Sequence, residues 1–218
     1  MEFRKTEGLT IKCSDYRESS QILTVYTHDY GKLNIIARGI RRLRNDLEGP
    51  FDILEYIQVV YIHNPVTQMN ILTSSKIYDN FLPFHYDYKR LKYGVSIIGF
   101  LNDMTVFEDS NPRLFQLALG TMRQICMEQN DTSIIFYTFQ IRALKFLGYL
   151  PYPDSNMADF MNNIPICNDQ GVLALVRNLA DAKTPLRNLR ISPEMFERLS
   201  RFLNGYISHI IDREVRVK

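Results

Sequence analysis

The residues best suited to chemistry in this sequence are four arginines within seven positions. Arg38, Arg41, Arg42 and Arg44 follow a strand-like segment, and Gly39 lies among them. A guanidinium offers a planar fork of N–H donors that fits phosphate oxygens, and several on one loop can follow a nucleic-acid backbone. The same run is also typical of a solvated connection that keeps a surface polar. The pattern by itself leaves both interpretations open.

No pattern typical of a catalytic or metal site occurs in the sequence. It contains neither a Gly-x-x-x-x-Gly-Lys-Ser/Thr loop nor a Gly-x-Gly-x-x-Gly turn after a strand. Four histidines lack the spacing of a metal-ligand pair: His28, His63, His85 and His209. Asp52 and Glu55 are close in sequence, but on a strand they would point to opposite faces. We therefore interpret the protein as a non-enzyme without a cofactor.

The overall composition sets wide bounds on function. The chain has 218 residues, of which 45% are hydrophobic, and a net charge of +2. This composition is ample for a packed core and neither demands nor excludes a polyanionic partner. A nucleic-acid signal must therefore come from local clustering. Two stretches show it: residues 38–44, and residues 177–218 with nine basic against five acidic side chains.

The cysteines and the hydropathy pattern predict the compartment. Cys13, Cys126 and Cys167 are odd in number and widely spaced, which argues against a disulfide framework. No charged start followed by an apolar run indicates a signal peptide, and no run of about eighteen apolar residues could span a bilayer. We expect a soluble protein of the reducing cytosol.

A small all-β module must position the arginines. Strands are expected at residues 3–12, 19–27, 32–37, 51–62 and 69–78. These segments are rich in β-branched, aliphatic and aromatic residues, and turn residues such as Asp29 and Gly31 separate them. Five strands within about eighty residues favour a closed barrel, because closure removes exposed edges. The OB-fold is the natural candidate.

From Pro83 onward the apolar period changes towards 3.6 residues, which predicts helices. The first contains Leu91, Val95, Ile98 and Leu101. Others are expected after Asn111-Pro112, over residues 133–147, near residues 172–179 and from Ser192-Pro193. The prediction is an α+β chain with an OB-fold domain at residues 1–80 and a helical domain at residues 81–218, which includes an irregular segment at 150–192.

The stretch at residues 16–51 resembles the N-terminal signature of the RecO recombination-mediator family. The matching positions are Tyr16, Glu18, Ser19, Ile22, Leu23, Thr24, Tyr26, Thr27, Gly31, Leu33, Ala37, Arg38, Gly39 and Arg41. Later segments are also similar to this family: Asn111-Pro112-x-Leu-Phe, Leu147-Gly148-Tyr149-x-Pro151 and Asn204-Gly205-Tyr206-x-x-x-His209. The resemblance covers nearly the whole chain and is most specific at its start.

This resemblance implies an N-terminal OB-fold and a helical C-terminal domain. It implies a DNA repair and recombination mediator of the RecFOR pathway, located in the bacterial cytoplasm at the nucleoid. Such a protein binds single- and double-stranded DNA without sequence specificity and anneals complementary strands. With RecR, it assists RecA in displacing single-stranded-DNA-binding protein.

The residues expected to contact DNA are those that could neutralise phosphates or stack on bases. They are Arg17, Tyr30, Lys32, Arg38, Arg41, Arg42 and Arg44. Tyr16 and Tyr26 are further stacking candidates, but Tyr26 lies mid-strand and fits a core position at least as well. Gly39 is expected to serve backbone conformation, since a positive φ would let the loop leave the strand sharply.

The chain departs from the family pattern at two places. Many members carry four cysteines in paired Cys-x-x-Cys fashion that would hold zinc, but residues 154–176 contain only Cys167, so we predict no zinc site. Some members also carry Arg-Phe-Glu where this chain has Thr138-Phe139-Gln140. Those members hold the acidic tail of single-stranded-DNA-binding protein there; the candidate residues here are Phe139, Arg142 and Lys145.

A second hypothesis belongs to a different functional class. The chain could be a protein-interaction adaptor whose helical domain binds partners while its barrel has little affinity for DNA. The near-neutral charge and the changed Arg-Phe-Glu positions favour this alternative.

Overall fold

The computed structural model describes residues 2–42, 47–128, 132–150, 169–181 and 191–217, with side chains described as far as Asp212 in the last range. Its first part contains β1 (Glu2–Tyr16), β2 (Ser20–Thr27), β3 (Gly31–Ala37), β4 (Tyr56–His63) and β5 (Met69–Asp79). The strands pair in the order β1-β2-β3-β5-β4, and β4 returns to β1, so the sheet closes into a barrel. Helices follow this five-stranded sheet, which confirms the predicted fold class of an OB-fold followed by helices.

Alternating side chains fill the barrel. Leu33, Ile35 and Ala37 of β3 belong to the buried core, and Asn34 and Ile36 between them point to the other face. Leu33, Ile35 and Ala37 thus share one face of β3, and that face is the interior of the barrel.

Strand β1 is longer than predicted because it has two partners. Residues 2–9 pair with β4, and residues 8–16 pair with β2, with a register shift after Thr10. One strand thus joins the two halves of the barrel and brings Tyr16 close to the end of β3.

The predicted fourth strand began too early. β4 starts at Tyr56, and residues 51–55 form a loop in which Leu54 has φ = 65°. The Gln21 side chain holds this loop, since its Nε2 donates to the Phe51 carbonyl at 3.2 Å and its Oε1 accepts from the Phe51 amide at 2.9 Å. The loop also carries Glu55, which is therefore not on a strand.

Three helices belong to the same compact unit as the barrel, Met1–Glu128. They are α1 (Leu82–Tyr86), α2 (Tyr88–Met104) and α3 (Pro112–Met127). Helices α2 and α3 were predicted, whereas the short α1 was not. The Asn111 side chain accepts from the Leu114 amide at 3.0 Å and caps α3, which confirms the predicted helix start. Phe115 of α3 then covers the outer side of β2 at Tyr26, with 6.4 Å between ring centroids.

The second compact unit, Gln129–Lys218, contains α4 (Ser133–Phe146), α5 (Gln170–Asp181) and α6 (Pro193–Val217). All three helices were predicted. The sequence of α4 is apolar nearly all round, and the helix is accordingly buried on most of its surface. The predicted irregular segment 150–192 contains α5, while residues 151–168 and 182–190 lie outside the described residues.

The strands give way to helices between Asp79 and Leu82, where the domain boundary was predicted. The contacts divide the chain later, at residues 128 and 129, because α1 to α3 cluster with the barrel. Within the described ranges, every helix is too short or too polar to cross a bilayer.

Candidate nucleic-acid interface

Two turns meet at one end of the barrel. The first joins Tyr16 of β1 to Ser20 of β2, which pair with each other. The second begins after Ala37, which pairs with Gln21 at the start of β2. The two turns therefore lie side by side. We call this region the arginine end; its side chains are Tyr16, Arg17, Arg38, Arg41 and Arg42.

A buried side chain and two hydrogen bonds attach residues 38–42 to the barrel. Ile40 is 3% exposed and packs in the barrel core. The Gly39 amide donates to Ser20 Oγ at 3.3 Å, and the Arg41 amide donates to the Ser19 carbonyl at 3.2 Å. Gly39 has φ = 69°, the left-handed conformation that favours glycine. Because Ile40 points inward, the arginines around it stay outside.

The arginines of this end differ in what they contact. Arg41 forms a two-point ion pair with Asp15, in which Nη1 donates to Oδ2 at 2.8 Å and Nη2 donates to Oδ1. Both side chains are partly exposed, so solvent screens the pair. Arg38 and Arg42 are exposed, and neither forms an ion pair with a carboxylate in the described part of the chain. Their charges are available to a ligand, whereas Arg41 shares its charge with Asp15.

Arg17 occupies the neighbouring turn with φ = 56°. Its guanidinium carbon lies 5.2 Å from the centroid of the Tyr16 ring, and Tyr16 is 36% exposed. A cation above an exposed ring is held weakly. The arginine end therefore combines exposed guanidiniums with one accessible aromatic ring.

Lys32 was predicted to contact nucleic acid, but its side chain is buried. It is 5% exposed, and its Nζ donates to the carbonyl oxygens of Asn102 and Thr105, both at 2.7 Å. The last carbonyls of a helix have no partner within the helix and attract a positive charge. Lys32 therefore fastens β3 to the C-terminal end of α2. Its charge is not exposed at the arginine end, contrary to the prediction.

Tyr30 lies at the other end of the β2–β3 hairpin from the arginines. Its turn joins Thr27 to Gly31, whereas the arginine end begins where Gln21 pairs with Ala37. Strands of this length separate the two ends by roughly 20 Å. The Tyr30 ring packs edge-on against Tyr61, with 6.3 Å between centroids. The structure does not bring Tyr30 together with the arginines.

Tyr26, the other stacking candidate of β2, is fully buried. It packs against Phe115 of α3, and burial raises the pKa of its hydroxyl. Tyr26 is a core residue, which is the interpretation that its mid-strand position favoured.

The three residues predicted to bind a partner protein make contacts within their own unit. Phe139 is 1% exposed. Arg142 Nε donates to the Leu179 carbonyl at 3.2 Å, and Lys145 Nζ pairs with the Asp181 carboxylate. Both cations thus hold the C-terminal end of α5 against α4, where the helix dipole favours them. Arg142 and Lys145 thus join α4 to α5 and Phe139 is buried, so the three side chains do not form an open apolar and basic surface.

The two cysteines that the structure describes, Cys13 and Cys126, are made unreactive by burial. Burial raises the pKa of the Cys13 thiol to about 12 and that of Cys126 to about 11, so neither forms a reactive thiolate near neutral pH. Among the described residues, no three His, Cys, Asp or Glu side chains lie together as a metal site would require. Cys167 and Arg44 fall outside the described residues.

Two residues that shape the arginine end were missed in the sequence. Ile40 is an apolar residue inside a basic run, and this contrast is a signal that could have identified it as the anchor of the loop. Asp15 offered no such signal, because only the pairing of β1 with β2 brings it beside Arg41.

Comparison with known proteins identifies the family. Residues 1–81 match the family described as recombination protein O, N terminal, and residues 85–158 match recombination protein O, C terminal. The DNA repair protein RecO of Halalkalibacterium halodurans is 28% identical over 164 residues, which are 75% of this chain and 63% of that protein. That of Salinibacter ruber is 25% identical over 171 residues, 78% of this chain and 64% of that protein.

These two alignments span less than two thirds of the relatives' own length. A third relative, the DNA repair protein RecO of Acetivibrio thermocellus, is 23% identical over 237 aligned positions that cover 98% of this chain and 94% of that protein. The two family matches follow the barrel and the helices in order, as the resemblance of the N-terminal hairpin implied. The chain belongs to the RecO family of DNA repair proteins.

Proposed function

We propose that this protein is a recombination mediator that binds single- and double-stranded DNA through the arginine end of its barrel. The observation that carries the proposal is the placement of Arg17, Arg38 and Arg42 on two adjoining turns, exposed and outside ion pairs with described carboxylates. The turn between the first two strands is also a place where OB-folds bind oligonucleotides.

The proposed binding is electrostatic and independent of base sequence. Exposed guanidiniums neutralise phosphates and release counterions, which makes the affinity depend steeply on salt. Arg41 joins them by exchanging Asp15 for a phosphate, because a partly exposed ion pair is worth only about 0–1 kcal/mol. Tyr16 offers a ring for base stacking, worth about 1–3 kcal/mol per base where it occurs. Arg44 remains a candidate phosphate contact because of its position in the sequence.

Family membership supports the wider role. We propose that the protein anneals complementary strands and, with RecR, assists RecA loading on DNA coated by single-stranded-DNA-binding protein. The tail of that protein is not assigned to Phe139, Arg142 and Lys145, because Phe139 is buried and the two cations hold α4 and α5 together.

The test is the salt dependence of oligonucleotide binding, followed by fluorescence anisotropy. The double variant Arg38→Ala/Arg42→Ala should flatten the slope of log affinity against log salt by about 1.4 for a single strand, since each lost phosphate contact contributes about 0.7. The matched control is Lys92→Ala/Arg113→Ala, which removes two exposed cations from α2 and α3 and should leave the slope unchanged.

The adaptor hypothesis predicts a different result. The ion pair between Arg41 and Asp15 reduces the free charge at the arginine end, which is the observation that favours an adaptor. An adaptor would show no oligonucleotide binding even at low salt, and equal slopes for the two double variants would show that DNA binds elsewhere.

A further inference from the structure

A row of aromatic and cationic side chains lies on the outer side of β4 and β5. The rings of Tyr56 and Tyr78 pack with their centroids 5.2 Å apart. Lys76 Nζ lies 5.6 Å from the centroid of Tyr78, and the guanidinium of Arg123 lies 5.3 Å from that of Tyr56. We call these four residues the tyrosine–cation row. It joins two strands of the barrel to α3 within one compact unit.

The positive charges of this row are not neutralised locally. Lys76 and Arg123 are exposed, and neither pairs with a carboxylate in the part of the chain that the structure describes. The nearby carboxylates have other partners: Glu7 accepts from the Tyr56 hydroxyl, and Asp79 accepts from the Phe81 amide at 2.8 Å. Two unpaired cations therefore face solvent on this side of the barrel.

The shape of the row fits a base better than a peptide side chain. Tyr56 is 8% exposed and supports Tyr78 from below, whereas Tyr78 is 40% exposed. The pair thus presents one partly exposed ring, with Lys76 above it and Arg123 above its tilted neighbour Tyr56. Rings that stack on bases and cations that contact phosphates are the combination that binds single strands. The cation–ring contacts themselves are weak at an exposed site, so a phosphate can displace them.

The row also adjoins the loop that follows the arginine end. Glu48 belongs to that loop; its carbonyl accepts from Ser75 Oγ at 3.0 Å, and its carboxylate accepts from the Ile77 amide at 2.6 Å. Lys76, between these two residues of β5, is therefore beside the connection that starts at Arg42.

We propose that the tyrosine–cation row is a second contact surface for single-stranded nucleic acid. Lys76 and Arg123 contact phosphates, and Tyr78 stacks on a base. This inference rests on the proposed function, because it extends the same binding activity to a second side of the barrel.

The experiment measures the affinity of the full chain for a labelled oligo-dT of about 30 nucleotides, longer than the site of one OB-fold, across a salt series. Lys76→Ala/Arg123→Ala should flatten the salt slope by about 1.4. The charge-preserving variant Lys76→Arg/Arg123→Lys should keep the slope of the original protein. Lys92→Ala/Arg113→Ala is again the control for loss of two charges, and circular dichroism checks the fold of each variant.

A second pair of variants tests the ring. Tyr78→Leu should weaken binding about 5- to 150-fold, the range that corresponds to the loss of one stacked base. Tyr78→Phe keeps the ring and should bind like the original protein. An oligonucleotide carrying 5-iodouracil should crosslink to Tyr78, and mass spectrometry identifies the site directly.

The outcomes separate this inference from the proposed function. A flattened slope in Arg38→Ala/Arg42→Ala with an unchanged slope in Lys76→Ala/Arg123→Ala overturns the second surface alone. A flattened slope in Lys76→Ala/Arg123→Ala with an unchanged slope in Arg38→Ala/Arg42→Ala supports the second surface and overturns DNA binding by the arginine end. Absence of binding by the original protein at low salt overturns both. If the row variants bind the oligonucleotide normally but lose an acidic, aromatic peptide, the row is a protein interface and the inference is wrong.

Discussion

Basic residues that are close in sequence have three different roles in this protein. Arg38 and Arg42 are exposed, Arg41 is paired with Asp15, and Lys32 is buried under the end of α2. Their charges are identical, so the differences come from neighbouring groups. At the scale of the residue, the environment of a side chain decides whether its charge is free for a ligand.

The environment also changes the charge of a carboxyl group, that of Glu55. It is 7% exposed in the loop before β4, and burial raises its pKa from 4.5 to about 7, although the hydrogen bond from the Asp52 amide acts in the opposite direction. The folded state therefore binds the Glu55 proton more tightly than the unfolded state does. The free energy of unfolding should fall by on the order of 3 kcal/mol at most as pH rises from about 4.5 to 7. Above pH 7 it should level off.

The variant Glu55→Gln should remove this pH dependence, because its amide stays neutral. It should match the original protein below about pH 4 and exceed it in the free energy of unfolding above pH 7, as measured by urea denaturation across the pH range. Glu18→Gln, at an exposed position in the first turn, is the control. Identical pH profiles for Glu55→Gln and the original protein would show that Glu55 does not titrate in this window.

At the scale of elements, short connections place the arginines. The turn after β1 and the turn after β3 are neighbours because β2 pairs antiparallel with both strands. The opposite end of the β2–β3 hairpin is attached to the helices, since Lys32 binds the last carbonyls of α2. One end of the hairpin is thus open to solvent and the other is part of the packing between sheet and helix.

The attachment by Lys32 leads to a stability prediction. Lys32→Ala should destabilise the protein by about 2–4 kcal/mol, because it leaves two partly buried carbonyls without their charged donor. Chemical denaturation measures this loss. Lys5→Ala, which removes an exposed lysine from β1, should change stability by less than about 0.5 kcal/mol.

Lys32→Met separates packing from hydrogen bonding, since it keeps an apolar stem of similar length but no donor. It should lose most of what the alanine variant loses. If Lys32→Ala is as stable as the original protein yet flattens the salt slope of DNA binding, Lys32 belongs to the interface after all.

At the scale of the whole molecule, charge is balanced. The chain has 26 basic and 24 acidic side chains, so overall attraction to a polyanion is small. Binding must then depend on where cations are left unpaired. The arginine end and the tyrosine–cation row are two such places on the same compact unit.

Contacts to phosphates predict indifference to base sequence. Oligo-dT, oligo-dC and mixed oligonucleotides of equal length should compete for the protein with affinities within about tenfold of one another, because stacking and phosphate contacts tolerate every base. Competition anisotropy at one fixed salt concentration measures this. A preference of more than a hundredfold for one sequence would require contacts to base edges that the proposal does not contain.

The amino-acid pattern was sufficient for the family and for most elements, but it missed the short α1 and began β4 too early. The β-branched and aliphatic residues of β3, the Asn111-Pro112 helix start and the 3.6-residue apolar period of the later helices each predicted what the structure contains, because they reflect local backbone geometry and burial. The arginine run likewise identified the exposed turn at Arg38 and Arg42.

Only the tertiary structure separated Tyr30 and Lys32 from that turn, placed Asp15 beside Arg41, and buried Phe139 in its helical unit. It also brought Lys76 and Tyr78 of β5 next to Arg123 of α3. These relations join residues distant along the chain, and they depend on strand register and helix packing. Residue type and spacing describe neighbours in sequence, whereas a binding surface is made by neighbours in space.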